Sequence, residues 1–305
     1  MVMRTKPKAV VILGPTSSGK SDWSLKLAKK WNGVVISADS RQIYRGLDIA
    51  TGKTTKTEQQ GIPHYMIDIV EPDTDFSVSL YQATVYNLLN SIARSNAKRH
   101  KQTIPFIVGG TGLYIRAVVD GYKIPPVSPN PKLRAQLSTW SMAKLKAKLI
   151  KLTAQFKRKP KIDLTNNRRI IRAIEVAKAV GELTPEAQAP GFEFLQIGID
   201  LPKTEIDERI ERRINAMYEA GLVKETKKLL AAGYDFGRPA LSALGYQHIR
   251  NYLKGKVTLA KALELMKRDT KRFAKRQLTW FRRDRRIHWV KTLPQADKLI
   301  QSFLR

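Results

Sequence analysis

The chain contains no cysteine. That excludes disulfides, thiol catalysis and every cysteine-based zinc site, and it agrees with a reducing compartment. Histidine is scarce: His64, His100, His248 and His288 are the whole set, and they share no metal-ligand spacing. Acidic residues are few, 26 against 56 Lys plus Arg, leaving a formal net charge of +30. No apolar run approaches the roughly 20 residues of a membrane span. The run at 9–13, behind a basic start, is too short for a signal peptide. The expectation is a cytoplasmic chain with no membrane association. Hydrophobic residues make up 42% of 305 positions, enough for one large core or two moderate ones. A charge of +30 opposes the compact state by self-repulsion, so it implies a polyanionic partner, nucleic acid before an anionic membrane.

Short, wholly apolar, β-branched runs at 9–13, 34–37 and 104–108 read as strands buried on both faces. Residues 64–70 and 196–200 read as two more. Helical spacing falls between them: 20–31 with Trp23, Leu27 and Trp31 on one face, and 79–93 with Leu80, Val85, Leu88, Leu89 and Ile92. Alternating strands and helices indicate an α/β domain with a parallel sheet. The segment KIPPVSPNP (123–131) holds four of the fifteen prolines and reads as a linker. A Lys/Arg-rich helical region follows, in which Thr165 or Asn166 caps a helix with Ile170, Ile171, Ile174 and Ala177 inward and Gly181 as its stop. Thr204 and Asp207 resemble a capping box before Ile206, Ile210, Ile214 and Met217. The expected organisation is a core at 1–124, a helical insertion at 125–193, and a return to the core with basic C-terminal helices at 194–305.

GPTSSGKS at 14–21 matches G-x-x-x-x-G-K-[ST], with a buried strand before it and a helix after it. Amides of Gly14, Pro15, Thr16, Ser17, Ser18 and Gly19 form a phosphate cradle, except that Pro15 has no N–H. Lys20 supplies a point charge, Ser21 can ligate Mg²⁺, and the helix presents its positive end. Nucleotide binding, ATP included, is the general expectation of such a loop. Ordinary P-loop NTPases carry an aspartate after a second strand. Here 104–108 leads into GGTG (109–112), and the carboxylate follows 34–37 instead, as Asp39. Ligands of open parallel sheets sit beyond the strands' carboxyl ends, so Gly14, Asp39 and Thr111 should converge. A helix cap for Asp39 and an incidental turn hydroxyl for Thr111 are the alternatives. Thr51-Gly-Lys-Thr54 is a second G-K-T, but it lacks the first glycine and a preceding strand, and reads as a loop.

GPTSSGKS (14–21), ISADSRQIYRGLDI (36–49), GIPHYMIDIVEP (61–72), GGTGLYIRA (109–117), ALGYQ (243–247) and AKRQLTWFR (274–282) together resemble the bacterial tRNA dimethylallyltransferases, the IPP transferase family. The chain departs from the family at 50–54, where GTAKP is usual, and at Tyr65, where a second His is common. The zinc finger of eukaryotic relatives is excluded by the lack of cysteine. The resemblance implies a P-loop NTPase-like fold. It also implies transfer of dimethylallyl from its diphosphate to N6 of the adenosine 3′ of certain anticodons. By the same resemblance Thr16 adds a hydroxyl contact and Asp39 is the general base, with Thr16, Lys20 and Asp39 as the catalytic set. Asp39, Ser40, Arg41 and Gln42 would meet tRNA, as would Thr111, Arg134, Arg168, Arg169, Arg172, Lys275, Arg276 and Gln277. The partners are then tRNA and dimethylallyl diphosphate, the cofactor is Mg²⁺, and a monomer is expected.

Residues 267–286 hold ten basic and two acidic positions, with Lys267, Lys271 and Lys275 in one row and Arg268, Arg272 and Arg276 in the next. Adjacent cationic rows repel, and a phosphate backbone relieves them. Phe273, Leu278 and Phe281 would anchor this helix, and Trp280 is core or a stacking platform. Arg168 and Arg172 form a cationic helix face, or a solvated one. Arg209 and Arg213 serve the diphosphate or a surface ion pair. A P-loop small-molecule kinase would leave the charge unexplained, and an adenylate isopentenyltransferase would leave 125–193 and the basic helix unexplained. A non-catalytic RNA-binding protein would leave the P-loop and Asp39 idle.

Overall fold

In the computed structural model, which describes residues 6–98, 102–125, 127–154, 156, 162–181 and 190–305, the apolar runs form one parallel sheet. Its strands are β1 (Lys8–Leu13), β2 (Gly33–Ser37), β3 (His64–Tyr65), β4 (Ile104–Gly109), β5 (Glu193–Ile199) and β6 (His288–Val290). Their order is β3-β2-β4-β1-β5-β6, with every pairing parallel. His100, Pro126, the start at 1–5 and the segment 182–189 lie outside the described residues.

The chain divides into two units, Met1–Val119 with Pro190–Arg305, and Asp120–Ala189. In the first, successive residues of β1 point to opposite faces. Ala9, Val11 and Leu13 pack with Val85 and Leu89 of α2 (Val78–Asn96) and Val118 of α3 (Gly112–Val119). Val10 and Ile12 pack with Leu27 of α1 (Lys20–Lys30).

The second unit contains α4 (Pro131–Ser138), α5 (Met142–Thr153) and α6 (Asn167–Val180), closed over Leu137, Leu145, Leu149, Ile170 and Ile174. Asn166, rather than Thr165, accepts the Arg169 N–H as the cap of α6, and Gly181 ends it at φ 64°. Such a cap contributes about 1 kcal/mol.

The first unit resumes with α7 (Lys203–Glu219), α8 (Leu222–Ala231), α9 (Leu244–Leu253), α10 (Leu259–Phe281) and α11 (Leu293–Leu304). Ile206, Ile210 and Ile214 of α7 form a further core with Tyr246, Met266 and Leu47. Ala296 and Ile300 of α11 join α1 on the sheet.

Several sequence expectations are corrected. The 64–70 strand is only two residues long, because Met66 and Asp68 turn to φ 64° and 54° and end the ladder. On α2 the inward face runs Tyr81, Val85, Leu89, and Leu80 is half exposed. Helix α7 starts at Lys203 behind Pro202 with no side-chain cap, and Asp207 pairs with Lys203 at 2.5 Å rather than closing a capping box. The basic helix stops at Phe281, so 282–286 lie beyond it. Phe273 is 40% exposed and does not anchor the helix; Ala274, Gln277 and Phe281 face inward.

Candidate active site

The turns that leave β1, β2 and β4 all emerge at the carboxyl edge of the sheet and are knitted together there. The Ala38 N–H donates to the Val108 carbonyl at 2.7 Å, and the Thr111 N–H donates to the Ala38 carbonyl at 3.1 Å. A Cβ on Gly109 would lie 2.2 Å from the Ala38 carbonyl oxygen, so no side chain fits at the end of β4. One on Gly110 would lie 2.3 Å from Gln277 Nε2, and one on Gly112 would lie 2.3 Å from the Trp280 ring. The glycines of the 109–112 block thus make room for the β2 turn and for α10.

Beyond this edge lies a crevice of about 510 Å³, lined by Thr16, Lys20, Ser21, Asp39, Gln42 and Arg213 among others. The phosphate loop forms its floor, and Lys20 Nζ donates to the Pro15 carbonyl at 2.5 Å. Desolvation lowers the Lys20 pKa to about 7; nearby Arg213 pushes the same way, and Asp39 opposes them. Arg213 is lowered too, by desolvation first. Its Nη1 donates to Thr16 Oγ1 and its Nη2 to the Thr51 carbonyl, both at 3.3 Å. No carboxylate forms an ion pair with Lys20 or Arg213 among the described residues. The Ser17 and Ser18 hydroxyls are buried without a hydrogen-bond partner. Two enclosed cations at the phosphate loop make a cradle for a multiply charged anion. Arg213 therefore belongs to the crevice. Arg209 pairs with Glu205 at 2.7 Å, yet its Nη1 also lies at the phosphate loop, 3.1 Å from where a Cβ on Gly19 would stand.

Asp39 follows β2 and holds its turn: Oδ1 accepts the Arg41 N–H at 2.8 Å. Oδ2 has no hydrogen-bond partner among the described residues. Ser40 donates its N–H to Thr111 Oγ1 at 3.1 Å, so the Asp39 and Thr111 turns are joined. Arg41 donates to Ser242 Oγ at 2.8 Å. Gln42 accepts from Ser37 and donates to the Gly52 carbonyl. Gln277 is buried; its Oε1 accepts the Thr16 N–H at 2.8 Å, and its Nε2 donates to the Gly110 carbonyl at 2.9 Å. It ties the phosphate loop to the β4 turn, unlike its neighbours Lys275 and Arg276, which are exposed. Those two line a separate groove of about 360 Å³ with Arg272, Thr279, Trp280 and Arg283. Trp280 itself packs against the sheet core. The two rows of α10 are partly neutralised: Lys271 pairs with Glu211, and Arg268 and Arg272 pair with Asp269.

In the second unit, Arg134 and Arg172 both reach the buried carboxylate of Glu175, at 2.7 and 3.3 Å. Burial raises the Glu175 pKa, but the Arg134 hydrogen bonds, the Asn130 N–H and Arg172 outweigh it, and the net shift is downward. Arg169 pairs with Asp163 at 3.0 Å, and Arg168 has no ion-pair partner among the described residues.

The sequence reading gave Gln277 as a tRNA contact and left Arg213 between the diphosphate and a surface ion pair; both line the crevice. Gln277 carried no signal beyond its place in the 274–282 block. Arg213 did carry one: it lies three residues after Ile210 and beside Ile214, on the inward side of α7.

For Mg²⁺, no cluster of three His, Cys, Asp or Glu residues suits a metal among the described residues. Ser21 Oγ stands in the crevice with no hydrogen-bond partner among the described residues. That donor set fits an ion held mainly by phosphate oxygens and water, which is the habit of Mg²⁺.

The model of the IPP transferase family matches residues 42–284, and a model described as isopentenyl transferase matches 7–72. The tRNA dimethylallyltransferase of Halothermothrix orenii is 42% identical, covering 97% of this chain and 93% of its own length. That of Moorella thermoacetica is 40% identical, over 98% and 94%. The crystal structure of the tRNA isopentenylpyrophosphate transferase from Bacillus halodurans superposes with TM-score 0.72 at 35% identity, covering 98% of this chain and 96% of that one. A eukaryotic dimethylallyltransferase, solved acting on tRNA, shares the fold with TM-score 0.76 at 23% identity, over 98% and 77%.

Proposed function

The chain belongs to the IPP transferase family, and from that premise we propose that it transfers a dimethylallyl group from dimethylallyl diphosphate to N6 of the tRNA adenosine next to the anticodon. The observation that carries this reading is one crevice holding two cations that form no ion pair among the described residues, beside a carboxylate with a free oxygen. The cradle of Lys20, Arg213 and the 14–19 loop binds the diphosphate. As the C1–O bond breaks, those cations hold the charge that gathers on the leaving group. The adenine N6 bonds to C1, and its proton passes to Asp39 Oδ2. Diphosphate leaves, and every atom is accounted for. Mg²⁺ would be held by Ser21 and phosphate oxygens, and would neutralise the diphosphate. The target base must leave the anticodon stack to enter the crevice. A kinase is disfavoured by the end of β4, where Gly109 leaves no room for a carboxylate. A cytoplasmic, monomeric enzyme is part of the same reading.

The test supplies dimethylallyl diphosphate, Mg²⁺ and either an anticodon stem-loop or AMP, without ATP, and adds an ATP arm with kinase acceptors. Diphosphate release and a prenylated stem-loop are expected without ATP. A strict ATP requirement, or AMP as the better acceptor, overturns the reading.

Binding of tRNA is expected to fall steeply with salt, because each neutralised phosphate releases counterions. Arg168, Lys275 and Arg276 carry no carboxylate partner among the described residues, so they are freer to neutralise phosphate than Arg134 or Arg172. Reversing Lys275 and Arg276 to Glu should cut the salt slope by about one for each phosphate left unneutralised, while diphosphate binding persists. An unchanged slope assigns these cations to a solvated face.

A further inference from the structure

One carboxylate joins the ALGYQ block to the 50–54 loop, whose Thr51, Gly52, Lys53 and Thr54 line the crevice. Glu225, on α8, accepts the backbone N–H groups of Asp48 at 3.1 Å, Ile49 at 2.9 Å and Ala50 at 3.2 Å. It also accepts the hydroxyl of Tyr246, which is fully buried, at 2.7 Å. Gly245 brings α9 against the same loop: a Cβ there would lie 3.0 Å from Ala50 Cβ. Gln247 fixes the segment beneath by donating to the Phe236 and Leu241 carbonyls. Lys53 closes the far side. Its ammonium donates to the Tyr44 carbonyl at 2.8 Å and pairs with Asp48 and Asp68, so the second G-K-T is engaged with protein.

The loop so held presents its next residues to the crevice. The Thr51 carbonyl accepts Arg213 Nη2 at 3.3 Å, and the Gly52 carbonyl accepts Gln42 Nε2 at 3.2 Å. Gly52 sits at φ 58°, and a Cβ on it would fall 1.8 Å from Arg213 Nη2. The guanidinium thus lies directly on the loop backbone. No carboxylate pairs with it among the described residues, so its aim depends on two neutral acceptors, Thr51 O and Thr16 Oγ1. Three successive amides converging on one carboxylate are charge-assisted and hard to replace with water. A shift of the loop therefore moves the guanidinium.

We propose that Glu225 is a positioning residue for the diphosphate site: by holding the amides of 48–50 it sets Thr51 and Gly52 against Arg213 and aims the guanidinium at the phosphate loop. The proposal rests on reading the crevice as the site of the prenyl diphosphate. It gives Tyr246 and Gly245 of the ALGYQ block their roles as the support of Glu225 and of the loop.

The test is a double-mutant cycle on the full chain, read by calorimetric binding of inorganic pyrophosphate with Mg²⁺. Glu225→Ala should weaken binding about tenfold or more, as a small misplacement of a charged contact does. Glu225→Gln keeps one acceptor oxygen but sets an NH₂ against amides that the other oxygen served, so it should recover only part of that loss. In an Arg213→Ala background, Glu225→Ala should add less than about twofold, because its effect runs through the missing guanidinium. The affinity for tRNA should stay within about twofold throughout. A merely structural role would repeat its full loss in the Arg213→Ala background, and that result, or unchanged binding in Glu225→Ala, overturns the proposal. If Glu225→Ala does not fold, Tyr246→Phe removes a single donor at constant shape and carries the same cycle with a loss of about threefold. Transfer is assayed beside binding: a cycle that holds while the wild type transfers no prenyl group overturns the transferase reading and leaves this placement standing.

Discussion

Replacing Asp39 with Asn is expected to slow prenyl transfer within a preformed enzyme–tRNA complex by about a hundredfold or more. The adenine amine is a poor nucleophile, because its lone pair is delocalised into the ring. Its attack becomes productive as a base accepts the N6 proton. Asp39 Oδ1 is committed to the Arg41 N–H at 2.8 Å, so the free Oδ2 is the basic atom. Asn retains an oxygen for the Arg41 N–H and keeps the turn. It places an NH₂ where the base stood. Binding of tRNA and of diphosphate should change little, and single-turnover kinetics isolate the chemical step. A near wild-type rate would make Asp39 a turn residue alone.

The second large effect concerns Lys20. Lys20→Met should weaken pyrophosphate binding by about a hundredfold or more, the scale on which removal of one partner from an enclosed charge pair is felt. The unliganded protein should gain thermal stability at pH 6, because an ammonium held beside Arg213, with no carboxylate partner among the described residues, is removed. The wild type also carries a pH signature. Its folded-state pKa is lowered to about 7 from 10.5, so between those values the unfolded chain binds more protons than the folded one. Stability of the unliganded wild type should therefore rise with pH across that window, and Lys20→Met should lose this contribution. A bound diphosphate restores the ammonium, so binding near pH 8 should take up a proton that the variant does not. Calorimetry in buffers of different ionisation enthalpy measures it. Equal proton uptake by the two proteins would remove Lys20 from the anion site.

The two expectations differ in kind. Lys20 holds an anion already charged in the ground state and also the charge that gathers on the leaving group, so its loss appears in binding and again in the rate. Asp39 acts on a proton released only as the new bond forms, so its loss appears in the rate.

The sequence by itself determined the strands at the centre of the sheet, the phosphate loop and the sign of the surface charge; the short strand β6 (His288–Val290) carried no such signal. Strands buried on both faces must be apolar throughout, so Ala9 to Leu13 and Ile104 to Val108 are legible without a partner in view. A phosphate loop is equally local: its glycines, Lys20 and Ser21 act within eight consecutive positions. The cap of α6 and its Gly181 stop are local too. Tertiary structure decided what depends on contacts between distant segments. The 64–70 strand looked complete by composition, but Met66 and Asp68 adopt positive φ. Phe273 looked like an anchor by its apolarity, yet the packing of α10 turns Ala274 and Gln277 inward instead. Arg172, expected on a cationic face, and Arg134, expected from the resemblance as a tRNA contact, both meet the buried Glu175. Arg213 and Gln277 enter the crevice from 197 and 261 residues beyond Thr16. Glu225 reaches the 48–50 amides across a comparable span. Periodicity records which side of an element faces inward, but the hydrogen bonds that orient an inward polar group come from whichever element packs there. A single sequence carries no pattern that names that element.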